Sequence, residues 1–164
     1  MDKVIIQLDG GGVILNWRPP GDLPMEGTTV TVQDLTRYII WREGCAHPFR
    51  ISRSLVLANW RALAALGKIM ASFGVDGFEA GFAVPEIEEI RTRMREGREP
   101  CVRMNEERKC LQYVCSEPVT IPREYSEILD HVLEETRGMD DVSLNRLVIR
   151  DPRYRELLTR RGFR

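Results

Sequence analysis

Ser52–Gly67 reads SRSLVLANWRALAALG, and how this stretch is read decides the fold. Ser52 suits an N-cap, because its hydroxyl can accept an orphan backbone N–H of a first helical turn. Leu and Ala dominate the residues after it and lose little entropy in a helix. Gly67 then offers the left-handed position that ends helices, with Lys68 placed to favour the dipole. Ser54, Arg61 and Lys68 recur every seven residues as one thin polar line, while Leu55, Val56, Leu57, Trp60, Leu63 and Leu66 cover most of the remaining circumference. A helix that is apolar nearly all round belongs among other elements. Asn59 lies off the polar line: it either bonds the backbone of a neighbouring loop or joins Arg53 and Arg61 as a recognition contact.

The chain has 164 residues and a formal net charge of −1, so no global field points to nucleic acid or membrane. Of the 24 basic residues only Lys3, Lys68 and Lys109 are lysines. Arginine pairs well with carboxylates, so this bias bears on ion pairing more than on function. The N-terminus lacks the pattern of a signal peptide, and no apolar run reaches membrane-spanning length. The expectation is a cytoplasmic protein whose cysteines are reduced.

Before the central helix, Lys3–Trp17 places two β-branched runs around Asp9-Gly10-Gly11-Gly12, a hairpin signal. The glycines lack the Lys-Ser/Thr and the helix that complete a phosphate loop. Arg18–Gly27 is a loop, and Thr28–Thr31 a candidate short strand. Thr31 and Asp34 have capping-box spacing and open a helix from Val32 to Glu43 with Leu35, Tyr38, Ile39 and Trp41 inward, ended by Gly44. Helix, short link and helix also describe a DNA-reading pair, but the second helix lacks the exposed polar face that reading requires.

After the central helix, Ile69–Ala83 interleaves glycines with Phe73, Phe78 and Phe82 as a packed loop. Pro85 opens a helix to Glu96 with ion pairs Glu88–Arg91 and Glu89–Arg93. Cys101–Cys115 reads CVRMNEERKCLQYVC and is read as a hairpin turning near Asn105–Lys109, a helix being the alternative. Pro122–Arg137 is amphipathic through Tyr125, Ile128, Leu129, Val132 and Leu133. A short helix comes next, through Leu144, Leu147 and Val148. Asp151-Pro152 starts a last one through Tyr154, Leu157 and Leu158, stopped by Gly162.

Two groups of residues raise the question of chemistry. Cys45, His47, Cys101, Cys110 and Cys115 are the candidate metal ligands, for zinc or an iron–sulfur cluster, yet they lack the C-x2-C knuckles of structural zinc sites. In a hairpin, Cys101 and Cys115 flank the open end and Cys110 the turn, so a site forms only if Cys45 and His47 come to that end. The alternative is small buried thiols. No Ser-His-Asp or Cys-His set can be named, and His131 shares a solvated face with Glu127, Glu134 and Glu135.

The second group is electrostatic. Eight acids lie between Glu117 and Asp141, and seven arginines between Arg146 and Arg164. Either the two segments attract each other, or the arginines, among them Arg150, Arg153, Arg160 and Arg161, face RNA, DNA or an acidic partner.

Leu35–Ile90 resembles the Panacea antitoxin domain of SocA-type proteolytic adaptors. The likeness is carried by the helix LTRYII, the passage into RISRSLVLANW, Gly67-Lys68, Phe78-Glu79-Ala80 and Val84-Pro85. It departs from that family where Gly81-Phe82-Ala83-Val84 precedes Pro85 in place of a Gly-Pro pair, and where Arg53 and Ser54 replace the usual Lys and Gln. The resemblance implies a mainly helical binding module that neutralises or delivers a partner protein and has no chemistry of its own.

These readings combine into a mostly helical α+β single domain spanning 1–164. Residues 1–31 form an N-terminal β-hairpin and loop, 32–97 the helical core, and 98–164 a second short, Cys-containing hairpin plus C-terminal helices. The function expected first is non-enzymatic protein interaction, antitoxin- or adaptor-like. The alternatives are a nucleic-acid-binding regulator and a zinc or iron–sulfur protein. Another protein is the expected partner, nucleic acid the alternative one, and no membrane is expected. Oligomeric state is left open.

Overall fold

The computed structural model describes residues 29–77 and 81–164. The expected hairpin of Lys3–Trp17 and the loop Arg18–Gly27 lie outside the described residues, as do Phe78, Glu79 and Ala80. Residues 29–31 lead into the first helix without forming a strand.

That helix, α1 (Val32–Glu43), begins as its sequence dictates. Asp34 donates its backbone N–H to the Thr31 hydroxyl at 3.1 Å, and the Asp34 carboxylate accepts the Thr31 N–H at 3.0 Å, a complete capping box. Gly44 ends it with φ of 80°. Leu35, Tyr38, Ile39 and Ile40 are buried, and Trp41 packs at the margin of the core. The Tyr38 hydroxyl donates to Asp130 at 2.7 Å; burial first, and this bond second, push its phenol up to about 12.

Strand β1 (Cys45–Ala46) links α1 to the central helix α2 (Pro48–Leu66). This helix starts one turn earlier than Ser52 suggests. Pro48 at its first position has no N–H to leave unsatisfied, and the His47 ring nitrogen Nδ1 accepts the Phe49 N–H at 3.1 Å. The Ser52 hydroxyl instead donates to the Phe49 carbonyl. Every residue from Ile51 to Trp60 is buried, Ser54 included, whereas Leu63, Ala64 and Ala65 are exposed. The helix is therefore enclosed over its first three turns and opens to solvent at its last.

Strand β2 (Phe73–Gly74) and helix α3 (Pro85–Arg95) come next. Glu88 accepts from Arg91 as expected. Glu89 accepts from Gln33 of α1 instead, and Arg93 faces the buried Glu99, which also takes Arg37 Nε at 2.5 Å. The cysteine segment is a hairpin: β3 (Val102–Asn105) pairs antiparallel with β4 (Cys110–Tyr113), and β1 adds to the other side of β4. The Asn105 side chain accepts the Arg108 N–H across the turn, where Lys109 takes φ of 59°.

Helices α4 (Arg123–Thr136), α5 (Asp141–Ile149) and α6 (Tyr154–Arg160) complete the shell, with α4 and α5 packed on α2. Tyr125, Leu129, Val132 and Leu133 of α4 face inward, as the amphipathic stripe requires. Leu147 departs from its expected place: it is 41% exposed while Leu144 and Val148 are buried. One continuous apolar cluster runs from Val30 to Phe163, so the fold is mostly helical α+β.

Strand β5 (Gly162–Phe163) pairs with β2 and brings Phe163 against Phe73, ring centroids 5.1 Å apart. Gly162 takes φ of 132°, and a Cβ there would lie 2.2 Å from the Phe73 carbonyl oxygen. Only glycine fits both the dihedral and the space. Gly162→Ala is expected to lower the unfolding free energy by at least about 2 kcal/mol in denaturant titration.

Candidate functional site

Several residues named as recognition candidates are occupied inside the fold. Asn59 is fully buried; its amide donates to the Ala71 carbonyl at 2.9 Å and its oxygen accepts the Met70 N–H at 2.9 Å. It fastens the chain after α2 back onto the helix, as buried amides do when both ends are satisfied. Arg53, only 2% exposed, lies between the Phe49 and Phe82 rings at 3.9 and 3.8 Å. It donates to the Phe82 carbonyl, the Ser52 hydroxyl and the Asn145 side chain. Burial pulls its guanidinium down to about 10. Neither residue can meet a partner from these positions. Arg61 is half-buried and bridges α2 to α4 through His131 Nδ1 at 3.1 Å and the Glu135 carboxylate. The Arg61 hydrogen bond holds that carboxyl below its usual range.

The cysteines form two disulfides, Cys45–Cys110 and Cys101–Cys115, with Cα separations of 5.5 and 5.0 Å. This corrects the expectation of reduced thiols. Cys45 lies beside Gln112 through the β1–β4 pairing, and its sulfur reaches Cys110 rather than the hairpin mouth. His47 spends Nδ1 on the helix cap. The five candidate ligands are thus not gathered into one site in this structure. The cluster with metal-ligand proximity among the described residues is Cys101, Cys115 and Glu117, the last not singled out from the sequence because it lies outside the cysteine run.

The segregated charges do not chiefly neutralise each other. The acids of the 117–141 segment meet arginines from the first half of the chain: Asp130 with Arg42 at 3.1 Å, Asp141 with Arg50 at 2.9 Å, and Glu135 with Arg61. The C-terminal arginines pair within their own segment. Arg153 holds Asp151 through two contacts of 2.8 and 2.7 Å, and Arg160 meets Glu156 at 3.1 Å. The Arg153 hydrogen bond lowers the Asp151 carboxyl, and the reciprocal bond raises the guanidinium. Arg150 and Arg161 are exposed.

This arrangement creates a groove of about 260 Å³ where the last turn of α2 meets α6 and β5. Trp60, Leu157 and Phe163 form its floor, while Leu63 and Ile69 present open apolar surface, Leu63 being 43% exposed. Arg153, Arg160 and Arg164 line the same groove, with Glu156 among them. The Arg153 guanidinium lies 4.7 Å from the Trp60 ring centroid, so its charge is held over the floor. Such a site can take an apolar side chain and pair carboxylates beside it. The sequence hid it because Leu63 reads as core, and because its other wall arrives from the far end of the chain. No helix among the described residues is long and apolar enough to cross a membrane. No family model, curated protein or solved structure matches the chain.

Proposed function

We propose that this protein is a non-enzymatic protein-interaction module that takes an acidic segment with an aliphatic or aromatic anchor into the groove between α2, α6 and β5. The observation that carries this reading is Leu63, a large apolar side chain left open beside three arginines at the end of an otherwise enclosed helix. Apolar anchors in a pocket supply most interface energy, and surrounding charges select the partner and speed its approach. Neutralising or delivering a partner, as the resemblance of Leu35–Ile90 to antitoxin and adaptor domains implies, is the biological form proposed for this binding. The proposed location is the cytoplasm. Two disulfides are the pattern of an oxidising compartment, so thiol labelling of the native protein tests this location: free cysteines support it and intact disulfides contradict it.

The test is affinity capture with the wild-type chain and Leu63→Asp side by side, with the recovered partner's affinity then measured for each. Leu63 is exposed, so the substitution spares the fold. The expected result is a protein partner whose affinity falls roughly thirtyfold or more in the variant. Equal retention by both chains overturns the groove as the site. Recovery of nucleic acid, with affinity falling steeply as salt rises, would favour the second reading, which rests on the exposed Arg146, Arg150 and Arg155.

A further inference from the structure

We infer that the mouth of the cysteine hairpin is a reduction-gated site for a zinc-class divalent cation, with Cys101, Cys115 and Glu117 as its ligands. One ligand atom from each residue lies within 4.8 Å of the others. The two cysteines flank strands β3 and β4 at their open end, where Val114 donates its N–H to the Cys101 carbonyl at 2.8 Å. That cross-strand placement holds the sulfurs together whether or not they are bonded to each other. The Tyr113 hydroxyl donates to the Glu117 carbonyl at 2.6 Å, which fixes the turn carrying the third ligand beside the pair. Both cysteines are partly accessible and Glu117 is exposed, so a reductant and a metal ion can reach them. Cys110, in contrast, is buried within the other disulfide.

Two thiolates and a carboxylate are a donor set that suits zinc, and three protein ligands leave a fourth position for water or a partner's side chain. The gate is thiol–disulfide exchange. A dithiol reductant attacks the Cys101–Cys115 bond, forms a mixed disulfide, and closes its own disulfide as the second cysteine leaves. Two electrons pass to the cystine and two thiols result. Zinc then forms two Zn–S bonds and releases the two thiol protons to water. The disulfide is the closed, metal-free state of the site.

The experiment compares oxidised chain with chain reduced by dithiothreitol and desalted under nitrogen, each titrated with zinc against a chromogenic chelator. Cobalt(II) is used in parallel for its thiolate charge-transfer absorption. The reduced chain is expected to take up one equivalent, and the oxidised chain none. Glu117→Gln, an exposed change that leaves the fold intact, is expected to weaken uptake roughly tenfold or more, a loss that even outer partners of metal ligands can cause. Cys101→Ser/Cys115→Ser, which retains the longer disulfide, is expected to abolish uptake after reduction. Equal uptake by oxidised and reduced chain overturns the inference. So does uptake that survives the double substitution, or a Cys101–Cys115 bond that resists excess dithiol under native conditions.

Discussion

Replacing Cys45 and Cys110 together by alanine is expected to lower the unfolding free energy by roughly 4 kcal/mol, the chain-entropy value for a loop of this length. The two cysteines are 65 residues apart in sequence. The loop they close contains all of α2 and α3 and reaches the turn of the cysteine hairpin. In the unfolded chain this bond removes about 1.4 kcal/mol more conformational freedom than Cys101–Cys115, which spans 14 residues. The bond also ties β1, the short link between the two core helices, to the middle strand of its sheet. Reversible denaturant unfolding without reductant, wild type against the double alanine variant, measures the loss. A difference below about 1 kcal/mol would place the stability of this sheet in its packing instead.

Arg53→Met is expected to cost about 3–5 kcal/mol, comparable to breaking other buried polar networks that leave partners unsatisfied. Methionine fills similar length but cannot donate. The Phe82 carbonyl, the Ser52 hydroxyl and the Asn145 side chain would each lose a charged donor in a buried setting. The Phe49 and Phe82 rings would also lose the cation between them. Arg53→Lys keeps the charge but not the planar fork, and is expected to recover only part of the loss. Thermal or denaturant unfolding of the three chains decides this. If Arg53→Met matches wild type, the guanidinium is a passenger in the core, and α5 and the Phe82 segment are held by apolar packing alone.

These two features show where the sequence was and was not legible. The Thr31–Asp34 box, the Gly44 stop, Pro85 at a helix start, the cysteine hairpin and the stripe of Tyr125, Leu129, Val132 and Leu133 all express local rules, and each is found where those rules put it. The start of α2 was misplaced because two sound caps compete. Pro48 after His47 begins the helix before Ser52 can. Disulfide connectivity needs distances that spacing does not contain. Arg53 reads as a surface residue, since a lone arginine enters a core only when aromatic faces and carbonyls from three separate segments converge on it. The β2–β5 pair is two residues per strand, too short for any periodicity, yet its β5 strand lines the groove.

Charge order misled for a related reason. An acidic block next to a basic block invites pairing along the chain, but helix packing sets the neighbours. Because α4 packs on α1 and α2, and α5 on α2, Asp130 and Glu135 of α4 meet Arg42 and Arg61, Asp141 of α5 meets Arg50, and the C-terminal arginines are left to local partners and solvent. The groove is therefore a product of topology more than of composition. Its apolar part joins the open end of the core helix to Leu157 and Phe163, and its arginines come from the C-terminal segment, Arg153 and Arg160 each with a local carboxylate partner.

Whether this uncovered end of α2, with α6 and β5, is the surface that binds another protein is tested most directly by hydrogen–deuterium exchange of the chain with and without its captured partner. Slowed exchange concentrated in residues 60–69 and 153–164 is the predicted result. Unchanged exchange there, with slowing confined to α3 or the cysteine hairpin, would contradict it.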